Sequence, residues 1–221
     1  MPRTLALTIA LALLSGAGCS SAYRVVEMPE RAADMYPLSQ TREGLTVAID
    51  EVRAPARAQR YFGANLPRAG ILPVVVVVTN HSAHRVIVKP SDVLLHRGRE
   101  IIDPVPIQTV VAAARDERWR FSRKTREHVQ SFFEGVAFKE TILLPQDTYQ
   151  GVLFFAYPQS QRRDDRFFSV WSLFVEGGPR IRVALTDMET AEPKRVHFGP
   201  FSLTGMNRGL TSASSETLER F

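Results

Sequence analysis

The chain contains a single cysteine among its 221 residues, which excludes an intramolecular disulfide. It also lacks the glycine-rich loop of nucleotide-binding proteins, the nucleophile elbow of α/β-hydrolases and the zinc-protease motif. These are linear motifs by which many catalytic sites are recognised in a sequence. We therefore predict a protein that is not an enzyme and that holds no cofactor.

The chain has no apolar run long enough to cross a bilayer as a helix. Its N-terminal apolar run, Leu5–Leu14, has ten residues, whereas a transmembrane helix needs about 20. Arg3 precedes this run and the small residues Ser15-Gly16-Ala17-Gly18 follow it, which is the layout of a secretory signal peptide. We predict that residues 1–18 are this signal peptide.

The lone cysteine, Cys19, directly follows the predicted signal peptide. The run Gly16-Ala17-Gly18-Cys19-Ser20-Ser21 resembles the lipobox of bacterial lipoproteins, in which the cysteine becomes the first residue of the mature protein. The resemblance implies a diacylglyceryl thioether and an acylated amine, with chains such as palmitate, and several chains make anchoring stable. The alternative is an ordinary cleaved signal, which would leave an unpaired thiol in an oxidising periplasm.

The residue after the cysteine bears on which membrane holds the protein. Lipoproteins of Gram-negative bacteria that stay in the inner membrane favour Asp at this position, whereas this chain has Ser20. By that resemblance we expect a lipid anchor in the outer membrane, with the domain facing the periplasm.

The chain is mildly basic, with a formal net charge of +5 from 28 Lys and Arg against 23 Asp and Glu. The predicted compartment excludes nucleic acid as a partner. Phospholipid headgroups, lipopolysaccharide phosphates and cell-wall acids are the anionic surfaces that remain. The alternative is that the charge only keeps the protein soluble.

The composition is that of one globular domain, with 44% hydrophobic and 23% charged residues. Residues 19–43 show no sustained strand or helix period and are predicted to form a flexible tether. Residues 44–203 are predicted to form the domain, and residues 204–221, which are rich in Ser, Thr and Gly, a flexible C-terminal tail.

Strand patterns dominate the predicted domain. Ile71–Thr79 contains five consecutive valines and is apolar on both faces, which is typical of the central strand of a sandwich. We expect Arg85–Val88 to pair with it as a hairpin. Eight or nine strands without regular strand–helix alternation predict a mainly β fold, an antiparallel β-sandwich. The other predicted strands lie around residues 45–49, 93–96, 138–144, 149–157, 167–175, 180–186 and 196–203, with a bulge or an edge at Gly199-Pro200.

Between residues 106 and 136 the period changes to that of a helix. Apolar residues recur at i, i+3, i+4 and i+7 in two stretches, and Ser122 is a candidate N-cap for the second. We predict a helical insertion between two strands. The apolar positions are Ile107, Val110, Val111 and Ala114, then Val129, Phe132, Phe133 and Val136.

Two segments resemble bacterial exported modules of the immunoglobulin type. They are Gly70-Ile71-Leu72-Pro73 with the valine strand and Thr79-Asn80-His81-Ser82, and Leu144-Pro145-Gln146 with Gly151–Phe155. The resemblance is to uncharacterised envelope lipoproteins with an immunoglobulin-like β-sandwich domain. It implies a fold and a location but brings no activity and no catalytic residues.

The best candidate for binding is the segment 115–126, in which six basic residues and two acids surround two aromatic residues. Arg and Trp dominate binding hot spots, and aromatic rings with cationic flanks suit a membrane–water boundary. We expect it to bind an anionic headgroup, a glycan or an envelope protein. The alternative is that its rings pack the insertion onto the sandwich. The candidate residues are Arg118, Trp119, Arg120, Phe121, Arg123, Lys124 and Arg126.

Other polar groupings carry less weight. His81 and His84 lie three residues apart in a predicted turn, but nothing nearby supplies further ligands, so we interpret them as a pair of solvated loop histidines and predict no metal site. Asp164 and Asp165 are flanked by arginines, and adjacent residues of an extended chain point to opposite faces. We interpret them as part of a loop rich in ion pairs.

These observations favour a membrane-anchored envelope lipoprotein that acts as a non-enzymatic interaction or structural module in the periplasm. The alternative is a carrier for a small apolar ligand, held between the sheets or under the insertion. A large pocket lined by Phe132, Phe133, Phe154 and Trp171 would favour the carrier, and a tightly filled core would argue against it.

Overall fold

A computed structural model describes residues 25–97, 99–116, 123–156, 180–188 and 194–203. Their strands form two antiparallel sheets, and three helices cover one of the two. The strands are β1 (Ser39–Arg42), β2 (Leu45–Glu51), β3 (Ile71–Asn80), β4 (Val86–Val88), β5 (Val93–Arg97), β6 (Glu100–Ile102), β7 (Thr141–Leu143), β8 (Thr148–Ala156), β9 (Arg180–Asp187) and β10 (Lys194–Ser202). The helices are α1 (Pro55–Phe62), α2 (Ile107–Asp116) and α3 (Arg123–Val136), with 3₁₀ turns at Ala33–Met35 and Pro90–Asp92.

Sheet A has the strand order β1-β2-β3-β8, and sheet B runs β6-β5-β9-β4-β7. Strand β9 is the centre of sheet B, because β5 and β4 pair with successive parts of one side of it and β10 pairs along the other. The sheets do not close into a barrel. The predicted antiparallel β-sandwich is therefore confirmed.

Strand β3 is buried at all ten positions because both of its faces are covered. Leu72, Val74, Val76 and Val78 pack against sheet B. The intervening Ile71, Val75 and Val77 pack against the helical layer. Its two neighbours, β2 and β8, occupy both edges. The valine run is thus a central strand, as predicted, in a structure of three layers.

The helical insertion is also confirmed, as α2 and α3. Its two ends close the outer edge of β8: the N–H of Val105 donates to the carbonyl of Phe154 at 2.7 Å, and that of Phe138 to Val152 at 2.9 Å. An exposed edge would otherwise be open to pairing with another chain. The insertion therefore completes sheet A as well as covering it.

Gly151 of β8 is in close contact with the segment that follows the helical insertion. A Cβ at this position would lie 2.6 Å from the Cα of Phe138, whereas a Cβ at Gly135 of α3 would have no atom within 4 Å. We predict that Gly151→Ala lowers the free energy of unfolding by about 2–3 kcal/mol, because backbone must move. Gly135→Ala is the control and should gain about 0.5–1 kcal/mol in its helix. Urea unfolding of both variants measures this, and equal effects would contradict the account.

The tether prediction over 19–43 is wrong for residues 25–43. Within that range β1 pairs with β2, Ala33 is fully buried, and the N–H of Ala33 donates to Thr79 Oγ1 at 2.9 Å. The strand was missed because Ser39-Gln40-Thr41-Arg42 is polar on both faces, as an edge strand can be. Residues 19–24 and the predicted tail 204–221 lie outside the described residues.

The pairing predicted for residues 85–88 is wrong as well. Strand β4 pairs with β7 and β9 in sheet B rather than with β3. Both edges of β3 are already occupied, and the turn after it leads the chain from sheet A into sheet B. The strand predicted over 138–144 shortens to β7, and that predicted over 167–175 lies outside the described residues.

Strand β10 has an irregular register between Phe198 and Phe201, which confirms the bulge predicted at Gly199-Pro200. Gly199 has a φ of 102°, a conformation that favours glycine. Its N–H donates to Oε1 of Gln40 at 2.8 Å and so links β10 to β1 across the two sheets. In the described part of the chain, no helix is long and apolar enough to cross a membrane.

Candidate functional site

Most of the residues predicted to bind or to carry lipid lie outside the described residues. These are Cys19, Arg118, Trp119, Arg120 and Phe121, together with Trp171, Asp164 and Asp165 and the candidate cap Ser122. Arg123, Lys124 and Arg126 occupy the first turn of α3. The predicted segment therefore connects α2 to α3, and its role stays a prediction.

The chain reaches the domain on the side of the helical layer. Val25 and Met28 pack against the same core cluster as α1, α2 and α3, and the N–H of Val26 donates to the carbonyl of Arg60 in α1 at 2.9 Å. The first described residues and both helices that flank the predicted binding segment thus belong to one layer. Sheet B lies on the opposite side of sheet A.

The helical layer is centred on phenylalanine rings. Phe62 of α1 stacks on Phe133 of α3 with ring centroids 6.2 Å apart. Phe154 of sheet A meets both of them edge-on, at 5.8 and 5.7 Å. Phe132, which is partly buried, contacts Phe133 at 5.3 Å. Rings that contact one another in this way are typical of a filled core, which does not favour the carrier hypothesis.

An ion pair that the sequence analysis missed joins α1 to sheet A. The guanidinium of Arg57 donates to both carboxylate oxygens of Asp50, with 2.8 Å between Nη1 and Oδ1. This hydrogen bonding raises the pKa of Arg57. Nearby, the hydroxyl of Tyr36 donates to Gln150 Oε1 at 3.2 Å, and burial raises the pKa of Tyr36. A bidentate pair of this kind fixes one element on another, which suits a structural joint.

Glu51, at the end of β2, is a carboxyl group with a perturbed ionisation. Its carboxylate lies 2.8 Å from Nε of Arg53, and its side chain is 11% exposed. Burial raises the pKa of Glu51 to about 7, although Arg53 opposes the shift. The group therefore changes charge near neutral pH.

We predict that Glu51 makes stability depend on pH. The folded state holds the proton more tightly than the unfolded chain, so this contribution is complete below pH about 4.5 and is lost as the pH rises to about 7. The loss is about 3 kcal/mol at most. Glu51→Gln should therefore gain stability relative to the parent between pH 4.5 and 7.5 in urea unfolding. If the difference in stability between Glu51→Gln and the parent stayed constant over this pH range, the raised pKa of Glu51 would be ruled out.

A second polar cluster lies at the turn between β3 and β4. Asn80 is fully buried, and its Nδ2 donates to the carbonyls of His84 at 2.7 Å and Leu144 at 3.1 Å. Its Oδ1 accepts from Oγ of Ser82 at 2.6 Å. Nδ1 of His84 lies 2.8 Å from Oδ2 of Asp187, at the end of β9. This network holds the point at which the chain passes between the sheets.

The two histidines predicted to be a solvated pair have different surroundings. His81 is exposed, whereas His84 is part of the network just described. No group of three or more His, Cys, Asp or Glu side chains that could hold a metal occurs in the described ranges. The described polar clusters are joints between elements of the fold.

The outer face of sheet B has a different character. Because strand residues alternate between faces, the outward positions can be assigned from the core residues of each strand. We name this surface the arginine face. Its members are Ile87, Leu94, His96, Ile101, Ile142, Arg180, Arg182, Ala184, Thr186, Arg195, His197 and Ser202, with Arg85, Leu144 and Met188 at one end.

The strand registers put these residues into rows across the sheet. One row runs across four neighbouring strands and contains, in order, Arg195, Thr186, Ile87 and Ile142. A second row runs from Ser202 through Arg180 and His96 to Ile101. None of the outward positions within the strands is Asp or Glu, and Asp103 lies just beyond β6. The face is therefore basic and partly aliphatic.

Part of this face can be predicted from the sequence. Arg180 and Arg182 alternate with the core residues Ile181 and Val183, and this pattern is visible without a structure. It does not reveal which strands flank β9, because those pairings join residues 84 to 101 positions apart. The combination of arginine and aliphatic side chains from several strands therefore appears only in the fold.

No protein-family model matches the chain, and no curated protein matches it. Among solved structures, the yjhA protein of Bacillus subtilis is similar with a TM-score of 0.36 and 10% identity, over 67% of this chain and 79% of that one. The ycdA protein of Bacillus subtilis, a candidate lipoprotein, has a TM-score of 0.37 and 15% identity, over 84% of this chain and 42% of that one. Likenesses at this level carry no argument about function.

Proposed function

We propose that this protein is an envelope lipoprotein, anchored through lipid on Cys19, that acts as a non-enzymatic interaction module in the periplasm. The observation that carries the proposal is the position of the lone cysteine directly after a signal peptide pattern. An unpaired thiol is otherwise a liability in an oxidising compartment. Ser20, in place of Asp, favours the outer membrane as the site of anchoring.

The start of the fold limits how far the domain can lie from the membrane. Val25 already packs on the helical layer, only six residues after Cys19. Even a fully extended chain of that length spans only about 20 Å. This supports a domain held close to the bilayer with its helical layer on the membrane side.

The proposed orientation is compatible with a membrane contact of the predicted binding segment. The segment connects α2 and α3, whose packed faces belong to the same layer as Val25. Arg118, Trp119, Arg120, Phe121, Arg123, Lys124 and Arg126 are proposed to contact anionic headgroups of the same bilayer, since cationic and aromatic side chains together suit that boundary.

We predict that Cys19→Ala abolishes membrane association. The cysteine thiol carries the anchor, and no helix of the described chain could replace it. The full-length variant should move from the membrane pellet to the soluble periplasmic fraction of the native host, whereas Ser20→Ala should remain in the pellet. Cys19→Ala protein that still sediments with membranes and resists high salt would contradict the proposal.

A further inference from the structure

We propose that the arginine face docks a protein partner that presents acidic side chains beside apolar ones. The orientation of the domain in this inference rests on the proposed function. The chemistry of the partner is inferred from the composition of the face. The face lies on the side of the molecule opposite the helical layer, which the predicted membrane contacts do not use.

The charge of the face defines the chemistry it can bind. Arg180, Arg182 and Arg195 are exposed, and no described residue forms an ion pair with any of them. Three of the described acids near the margins have partners, Glu100 with Arg97, Glu140 with Lys89 and Asp187 with His84, and the exposed Asp103 lies at one edge just beyond β6. Arginine is suited to bidentate contacts with carboxylates. The surface therefore complements an acidic one.

The aliphatic residues indicate that the partner is not simply a polyanion. The described chain has six large hydrophobic side chains that are clearly exposed, and four of them belong to this face. These are Ile101, Ile142, Leu144 and Met188, at 52, 53, 52 and 39% exposure. Isolated exposed aliphatic residues are common, but Ile142, Leu144 and Met188 lie together at one end of this face, and such a cluster marks an interaction surface.

The composition as a whole matches that of protein interfaces. Such interfaces are enriched in Arg and Met and depleted in Lys, Glu and Asp. The outward strand positions of the face contain no Lys, Glu or Asp, and Met188 lies at its end. A second copy of this chain is not a suitable partner for the same face, because the arginines would meet like charge.

The position of the face argues against the bilayer that holds Cys19. The chain enters the domain in the helical layer, and one helix diameter plus the spacing of two sheets is about 20 Å. The six residues that lead from Cys19 to Val25 could span this depth only as a fully extended chain. The path around the side of the domain would be longer still. The arginine face is therefore directed away from that membrane, towards other periplasmic proteins.

The experiment uses the full-length lipidated protein in its native host with a benzophenone photo-crosslinking residue at Ala184, near the middle of the face. The same residue at Ser131, exposed on α3, is the control position. We expect a protein adduct from position 184 that maps to a peptide containing Asp or Glu and that is absent from position 131. Arg182→Glu with Arg195→Glu should reduce the adduct by about tenfold or more, and Arg68→Glu, an exposed change elsewhere, should leave it within about twofold.

A reciprocal change then tests the charge complementarity. Replacing the mapped acid of the partner by Arg should restore the adduct in the background that carries both Arg182→Glu and Arg195→Glu. No protein adduct at position 184, an adduct with lipid, or a yield unaffected by the double reversal would each overturn the proposal. Fractionation of the same cells reports separately on the anchor, so a failure of docking is distinguishable from a failure of anchoring.

Discussion

Phe133→Ala is expected to lower the free energy of unfolding by about 3–5 kcal/mol, the largest loss we predict for a single core substitution. The ring of Phe133 is fully buried and contacts Phe62 of α1 and Phe154 of sheet A. Truncation removes the ring from the place where two helices and a sheet meet. The surrounding rings belong to different elements, so they cannot easily close the cavity. Chemical denaturation followed by tryptophan fluorescence and circular dichroism gives the value.

Phe132→Ala is the matched control, because it makes the same chemical change at the next position of α3. Phe132 is only partly buried, so we expect a loss of about half that of Phe133→Ala, in proportion to the area removed from water. Similar losses for the two variants would mean that α3 is rotated about its axis relative to this structure.

Asn80→Ala is expected to cost about 3 kcal/mol, the second largest loss. The side chain donates to the carbonyls of His84 and Leu144 and accepts from Ser82. An alanine would remove this donor from the buried carbonyl of Leu143 and from the part-buried carbonyls of His84 and Leu144, and each unsatisfied buried group costs about 1–3 kcal/mol. The expected result is a lower denaturant midpoint with an unchanged slope, since the folded state remains compact.

Asn65→Ala provides the comparison for Asn80. Asn65 is another turn asparagine, and its Oδ1 accepts from the N–H of Arg68 at 3.3 Å in an exposed position. We expect a loss below about 1 kcal/mol there, because water can replace the exposed hydrogen bond. If both asparagines lost the same amount, the network between the sheets would not be the stabilising feature we describe.

The parts of the fold that were predicted correctly are those with a strong local pattern. Five consecutive valines cannot be accommodated except by a strand covered on both faces, and β3 is such a strand. The two stretches with helical period became α2 and α3 because their apolar faces pack on sheet A. In both cases the apolar period alone specifies the face that must be buried.

The parts that were missed lack such a pattern or depend on distant residues. Strand β1 is polar throughout and is held by β2. Helix α1 begins at Pro55, a favourable first helical position, but it is only eight residues long and buries only Ala58 and Phe62. The pairing of β4 depends on β9, about 100 residues later, which no local feature of Val86–Val88 indicates.

The candidate functional surfaces also include some that are visible in the sequence and one that depends on the fold. The cysteine and the basic-aromatic segment are linear features, and a sequence can present them directly. The arginine face combines residues from six strands of sheet B, and its lack of acids is visible only after the registers are known. The sequence could show that Arg180 and Arg182 share one side of a strand, but not that Ile101 and Ile142 lie on the same surface.

Mass spectrometry of the processed N-terminus of the protein, isolated from the membranes of its native host, tests the central claim most directly. The account predicts an N-terminal peptide that begins at Cys19 and carries a diacylglyceryl group together with an acyl chain on the amine. A mature N-terminus elsewhere, or a peptide in which the thiol of Cys19 is unmodified, would contradict it.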